Sequence, residues 1–192
     1  MATTPLRVVG VSGSLREPSK TTTLVRALID DVARRTTVDA RLIEIATLGP
    51  ALAGALRRED AGPEVEDALR AIETADLLIV ATPVYRASFT GLFKHLFDFV
   101  GQYALVGTPV ILAATGGGER HALIIEHQLR PLFGFFQALT LPIGVYASDS
   151  DFTAGALTSE AVRERIDQAV SRSLPLVEQA SAVQASEYVT TW

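Results

Sequence analysis

The chain has 192 residues, of which 48% are hydrophobic and 20% charged, with a net charge of −5. Those values suit one folded domain, or one plus a tail, and exclude a largely disordered chain. With no cysteine there are no disulfides, no thiolate catalysis and no Cys-ligated zinc or iron–sulfur cluster. No Lys/Arg run supplies the basic face that nucleic acid needs, so no nucleic-acid partner is expected.

His95, His121 and His127 lack metal-motif spacing, and no metal is expected. The N-terminal stretch MATTPLRVVGVSGS carries an apolar run too short for a signal-peptide core. The longest apolar stretch, around Ala104–Thr115, is broken by Gly107 and Pro109 and falls short of a membrane span. The expectation is no membrane association and a cytoplasmic location.

In chain order, short β-branched runs alternate with stretches of helical period. Arg7–Val11 reads as a buried strand. Thr21–Arg35 places Leu24, Val25, Leu28, Ile29 and Val32 at helical spacing. Val38–Ile45 alternates like a strand with one wetter face. Leu48–Gly62, punctuated by Gly and Pro, reads as a loop. Pro63–Thr74 opens with Pro and acids, a helix start. Asp76–Ala81 is a strongly apolar strand, Phe89–Val100 a helix, and Pro109–Ala114 a strand. His121–Leu139 reads as one long helix that Pro131 interrupts, Leu141–Ala147 as a strand, and Ser159–Leu174 as a final helix. Such alternation predicts an α/β fold: a doubly wound five-stranded parallel sheet of flavodoxin-like order 2-1-3-4-5, between two helical layers. Residues 1–175 read as one domain. Residues 176–192 read as a tail or an extension of the last helix, with Tyr188 and Trp192 suggesting a docked end.

In this fold a ligand sits at the carboxyl ends of the strands. Three loops there are unusual. Gly13–Thr23 offers a glycine, five hydroxyls and Arg16 just before a helix. Helix-start amides favour an anion, and hydroxyls and a guanidinium add phosphate donors. Neither a GK[ST] ending nor GxGxxG spacing is present, so a terminal monophosphate is the better fit; a ligand-free capping loop is the bland alternative. Thr82-Pro83-Val84-Tyr85-Arg86 forms a stiff wall for a planar ring, or simply a tight turn. Thr115-Gly116-Gly117-Gly118 permits close backbone approach, or is merely a flexible loop.

These segments, with GSLREPSKTTTL, ATPVYRASFTGLFKHLFD and LAATGGGERHALIIEHQLRPLF, resemble the NAD(P)H-dependent FMN reductase family over roughly residues 6–172. The likeness is greatest to the reductase component of two-component alkanesulfonate or methanesulfonate monooxygenase systems. The resemblance implies that Ser14, Arg16, Ser19, Thr21 and Thr22 bind the FMN phosphate. It implies that Pro83, Val84, Tyr85 and Arg86 border the isoalloxazine, with Thr115, Gly116, Gly117 and Gly118 on its other side. It also implies a homodimer or homotetramer, with Lys94 and Asp98 near the subunit contact; a plain i,i+4 surface ion pair is the alternative. In the alkanesulfonate reductases an inserted Tyr creates a π-helix linked to exchangeable flavin. Here His127 occupies that place, a variant that resembles the methanesulfonate branch.

The reaction so implied is hydride transfer from NADH or NADPH to FMN, with NADH slightly favoured. Reduced FMN then passes to a flavin-dependent monooxygenase. The cofactor carries the chemistry, so no catalytic side chain is expected. The alternatives are a quinone, azo-dye or chromate reductase with tightly held FMN, a flavodoxin-like electron carrier, and a flavin-free binding module.

Overall fold

The computed structural model describes residues 4–182. Tyr188 and Trp192, named above, lie outside them.

Strand β1 (Leu6–Ser12) pairs in parallel with β2 (Val38–Glu44) on one side and β3 (Leu77–Pro83) on the other. β3 pairs with β4 (Pro109–Gly116), which carries β5 (Leu139–Thr140) and β6 (Val145–Ser148) on its far edge. The order β2-β1-β3-β4-β5 is the flavodoxin-like one, and the expected α/β fold is the one observed. The central strands bury both faces, as covered parallel strands must. Alternation along them separates two cores. Val9, Val11, Val80 and Leu112 face helices α2 (Ile45–Gly54), α3 (Gly62–Glu73), α4 (Gly91–Asp98) and α5 (Arg130–Phe135). Val8, Ile79, Ile111 and Ala113 face α1 (Lys20–Ala33) and α6 (Glu160–Ala182).

Four sequence expectations need correction. The stretch after β2 is not a loop: α2 runs over Ile45–Gly54, with Gly49 at φ 17°, ψ −106° absorbing a kink before Pro50. Buried Ile45, Leu48 and Leu52 anchor it, and the ring nitrogen of His95 on α4 donates to the Leu52 and Ala55 carbonyls at its end, at 3.0 and 2.8 Å. The long helix expected over His121–Leu139 is broken into a 3-10 turn (Glu119–His121), a π-helical turn (Ile125–Leu129) and α5. Pro131 lacks an N–H and sits in the first turn of α5, where that loss costs least.

The fifth strand is likewise split. Leu141 N–H still reaches the Val110 carbonyl, but Pro142 cannot donate and pairing resumes only at Val145. Gly144 lies in this gap, where an added Cβ would stand 2.6 Å from Ile125 Cγ2 in the π turn. The final helix passes through Pro175 and continues to Ala182, beyond the expected Leu174.

Candidate functional site

The parallel register levels the strand ends: Ser12 faces Ala81, Pro83 faces Thr115, and Gly116 faces Ser148. The three unusual loops therefore emerge side by side, and hydrogen bonds tie them together. Gly13 N–H donates to the Ala81 carbonyl at 2.7 Å, and Val84 N–H to the Thr115 carbonyl at 2.8 Å. The Thr21 and Thr115 hydroxyls meet at 2.7 Å. The first and third loops thus touch through side chains, and the second is stitched to both.

The first loop ends on a well-formed helix start. Ser19 is the N-cap of α1 and its hydroxyl accepts from Thr22 N–H at 3.1 Å. The amides of Lys20 and Thr21, at the first helical positions, have no acceptor within the helix. Ser14 is buried, its hydroxyl within 3.2 Å of both N and O of Arg16, while Arg16 itself is exposed. Thr22 is turned inward: its hydroxyl lies 2.8 Å from Ser12 Oγ and donates to Glu44 at 3.2 Å. Arg26 pairs with the same carboxylate at 2.9 Å. Lys20 bridges to Asp149 beyond β6 at 2.8 Å.

The second loop is a tight reversal. Tyr85 and Ser88 exchange backbone hydrogen bonds at 2.8 and 3.1 Å. Between them Arg86 and Ala87 take φ of 50° and 67°, the left-handed region that costs energy for side-chain-bearing residues. Tyr85 and Arg86 are exposed, and Pro83 and Val84 half-buried. Below the turn, Thr90 caps α4 and donates to the Gly13 carbonyl at 2.8 Å, while its N–H donates to the Thr82 hydroxyl at 3.2 Å.

The third loop follows β4. Thr115 is buried, and Gly116, Gly117 and Gly118 lie at or near the surface. The Tyr146 hydroxyl donates to the Gly118 carbonyl at 2.6 Å. Burial, and then the charge of Glu119, push the Tyr146 phenol above its ordinary range.

His127, Lys94 and Asp98 are not brought to these loops. His127 stands exposed within the π turn. Lys94 and Asp98 form an i,i+4 ion pair on α4. They rim a separate pocket of about 560 Å³ floored by Phe97, Leu132 and Phe136.

Sequence reasoning missed Ser12, Thr90, Glu44 and Tyr146, and placed Thr82 in the second loop without a role; all five hold the loops rather than line them. Thr90 carried a signal, a hydroxyl directly before a helical apolar stripe. The others depend on partners distant in sequence.

A parallel sheet of this order, with hydroxyl-rich, aromatic and glycine loops at its carboxyl edge, defines a flavodoxin-like α/β protein. Residues 6–153 match the family described as NADPH-dependent FMN reductase, and the chain belongs to that family. It is 56% identical over 169 residues to the NADH-dependent FMN reductase SfnF of Pseudomonas putida, covering 88% of this chain and 91% of that one. It is 52% identical over 174 residues to an FMN reductase (NADPH) of Pseudomonas aeruginosa, covering 91% and 94%. Among solved structures, an oxidoreductase from Corynebacterium diphtheriae superimposes with a TM-score of 0.78 at 33% identity, covering 92% of this chain and 99% of the other.

Proposed function

We propose that this protein reduces FMN with NADH or NADPH and hands the reduced flavin to a flavin-dependent monooxygenase of the alkane- or methanesulfonate type. The observation that carries this is the convergence of the three loops through the Thr21–Thr115 and Val84–Thr115 contacts. The donor set fits a flavin mononucleotide. The α1 N-terminus supplies free amides, Ser14, Ser19 and Thr21 supply hydroxyls, and exposed Arg16 supplies a cation for a phosphate. Of the phosphate residues inferred from sequence, Thr22 acts as a support for the loop, because its hydroxyl is committed to Ser12 and Glu44 and its amide to the Ser19 cap.

When bound, FMN supplies a ring that accepts hydride from the nicotinamide. The chain's own part is to hold and orient. Pro83, Val84, Tyr85 and Arg86 form one wall, and the Thr115–Gly118 backbone offers donors on the other side without side chains in the way. No side chain in the three loops need act as nucleophile or base. NADH is favoured over NADPH on the likeness to SfnF. Residues 1–175 make up the catalytic domain, and 176–182 extend its last helix. The pocket beside Phe97, with Phe135 62% exposed at its edge, suits a second copy of the chain, with Lys94 and Asp98 at the contact. A nicotinamide-dependent reaction belongs where that cofactor circulates, in the cytoplasm.

The test is to follow NADH and NADPH oxidation and the visible spectrum of the purified protein as FMN is added. Colourless protein whose rate saturates with FMN is the expected result. Yellow protein whose rate ignores added FMN but rises with a quinone would replace the flavin-supplying role with quinone reduction.

A further inference from the structure

We propose that the Tyr146 hydroxyl is a positioning group that holds the Gly116–Gly118 backbone in its flavin-receiving shape; this rests on the flavin reading above. Tyr146 stands on β6 in register with Ala114, one residue before the loop begins. Its ring packs on the core between the sheet and α2–α5, and its hydroxyl reaches out to the Gly118 carbonyl at 2.6 Å.

The hydroxyl occupies space that Gly116 leaves open. A Cβ on Gly116 would stand 2.5 Å from the Tyr146 oxygen, closer than real contacts allow. Glycine at 116 is thus required by the phenol as well as by any ligand. The loop is pinned at both ends. Thr115 is fixed through Thr21 and Val84, and Gly118 through Tyr146 and the His121 amide at 3.2 Å. Between the pins lies backbone with more conformational freedom to lose than any other sequence. A bond to its far end therefore decides how much ordering remains when a ligand arrives. The surroundings keep the phenol protonated and donating: burial first, and then the charges of Glu119, Asp149 and Asp151, disfavour a phenolate.

The test is an FMN titration, read by flavin absorbance and by steady-state kinetics, on wild type, Tyr146→Phe, Gly116→Ala and the double variant. Tyr146→Phe keeps the ring and removes one neutral hydrogen bond. It is expected to raise the FMN dissociation constant and KM about three- to ten-fold, with the KM for NADH unchanged. Gly116→Ala weakens FMN strongly in wild type. It does so less in the Tyr146→Phe background, where the nearest atoms to the new methyl are His121 Cβ at 3.3 Å and the ring carbon at 3.5 Å. Wild-type FMN affinity in Tyr146→Phe, or strictly additive effects, would overturn the proposal. Should Tyr146→Phe fail to fold, Gly116→Ala alone decides, and unchanged FMN affinity sinks the idea. Wild type that binds no FMN removes the flavin reading itself and this inference with it.

Discussion

The Thr21 and Thr115 hydroxyls, 2.7 Å apart and both buried, show how a polar pair can hold two loops. Removing one partner strands the other in a dry site, whereas removing both leaves nothing unsatisfied. Thr115→Val is expected to cost about 1–3 kcal/mol in urea unfolding. Thr21→Val with Thr115→Val should recover most of that loss while still weakening FMN. A double variant no more stable than Thr115→Val would show that packing, not the hydrogen bond, joins the loops. At this scale the sequence was informative about residue type and silent about partners. Hydroxyls gathered before a helix announce a polar site. Nothing in the run of Thr21, Thr22 and Thr23 says that Thr22 turns inward to Glu44 while Thr21 turns to Thr115.

The π turn at Ile125–Leu129 is the element that departs most from regular geometry, and β6 is fitted around it. Gly144→Ala would drive a methyl to 2.6 Å from Ile125 Cγ2. Overpacking of this kind costs about 1–3 kcal/mol, measurable as a lowered urea midpoint. Ile125→Ala in the same chain should make the added methyl far cheaper; equal penalties in both backgrounds would refute the contact. Deleting His127 is expected to restore regular α-helical hydrogen bonding and retain flavin, giving a yellow protein with slower flavin release. Colourless deletion protein with full turnover would dissociate the turn from flavin exchange. The apolar period foretold a helix here but not its widened turn, because a π turn changes hydrogen-bond register without changing composition; the turn entered through the family resemblance. The missed α2 has the opposite cause. Ile45, Leu48 and Leu52 carry a helical stripe, but Gly49 and Pro50 punctuate it as a loop would. The strand order was legible because alternation of strand and helix permits few topologies.

Across the whole molecule, several surface carboxylates are held ionised by arginine partners and add a pH-dependent part to a stability that the two apolar cores supply. Arg58 and then Arg70 hold the Glu66 carboxyl down to about 2. Arg7 lowers Asp76 through a two-pronged contact at 2.7 and 3.1 Å, and Arg130 lowers Glu126. Each folded-state value lies below its unfolded one. Their contribution is therefore complete above the ordinary carboxylate range and lost as pH falls toward 2. The urea midpoint is expected to be flat from roughly pH 8 to 5 and to fall steeply below about 4. Arg58→Gln should lower the plateau and make the acid limb shallower; an unchanged limb would mean that Glu66 gains nothing from its partners.

Ser88, closing the Tyr85–Arg86 reversal, donates its hydroxyl to Gln128 in the π turn at 3.2 Å. One end of that bond belongs to a candidate flavin wall and the other to an exposed helical bulge. Influence through such a bond is reciprocal: whatever settles on the bulge and favours one placement of Gln128 alters affinity at the wall, and occupancy of the wall alters affinity at the bulge by the same factor.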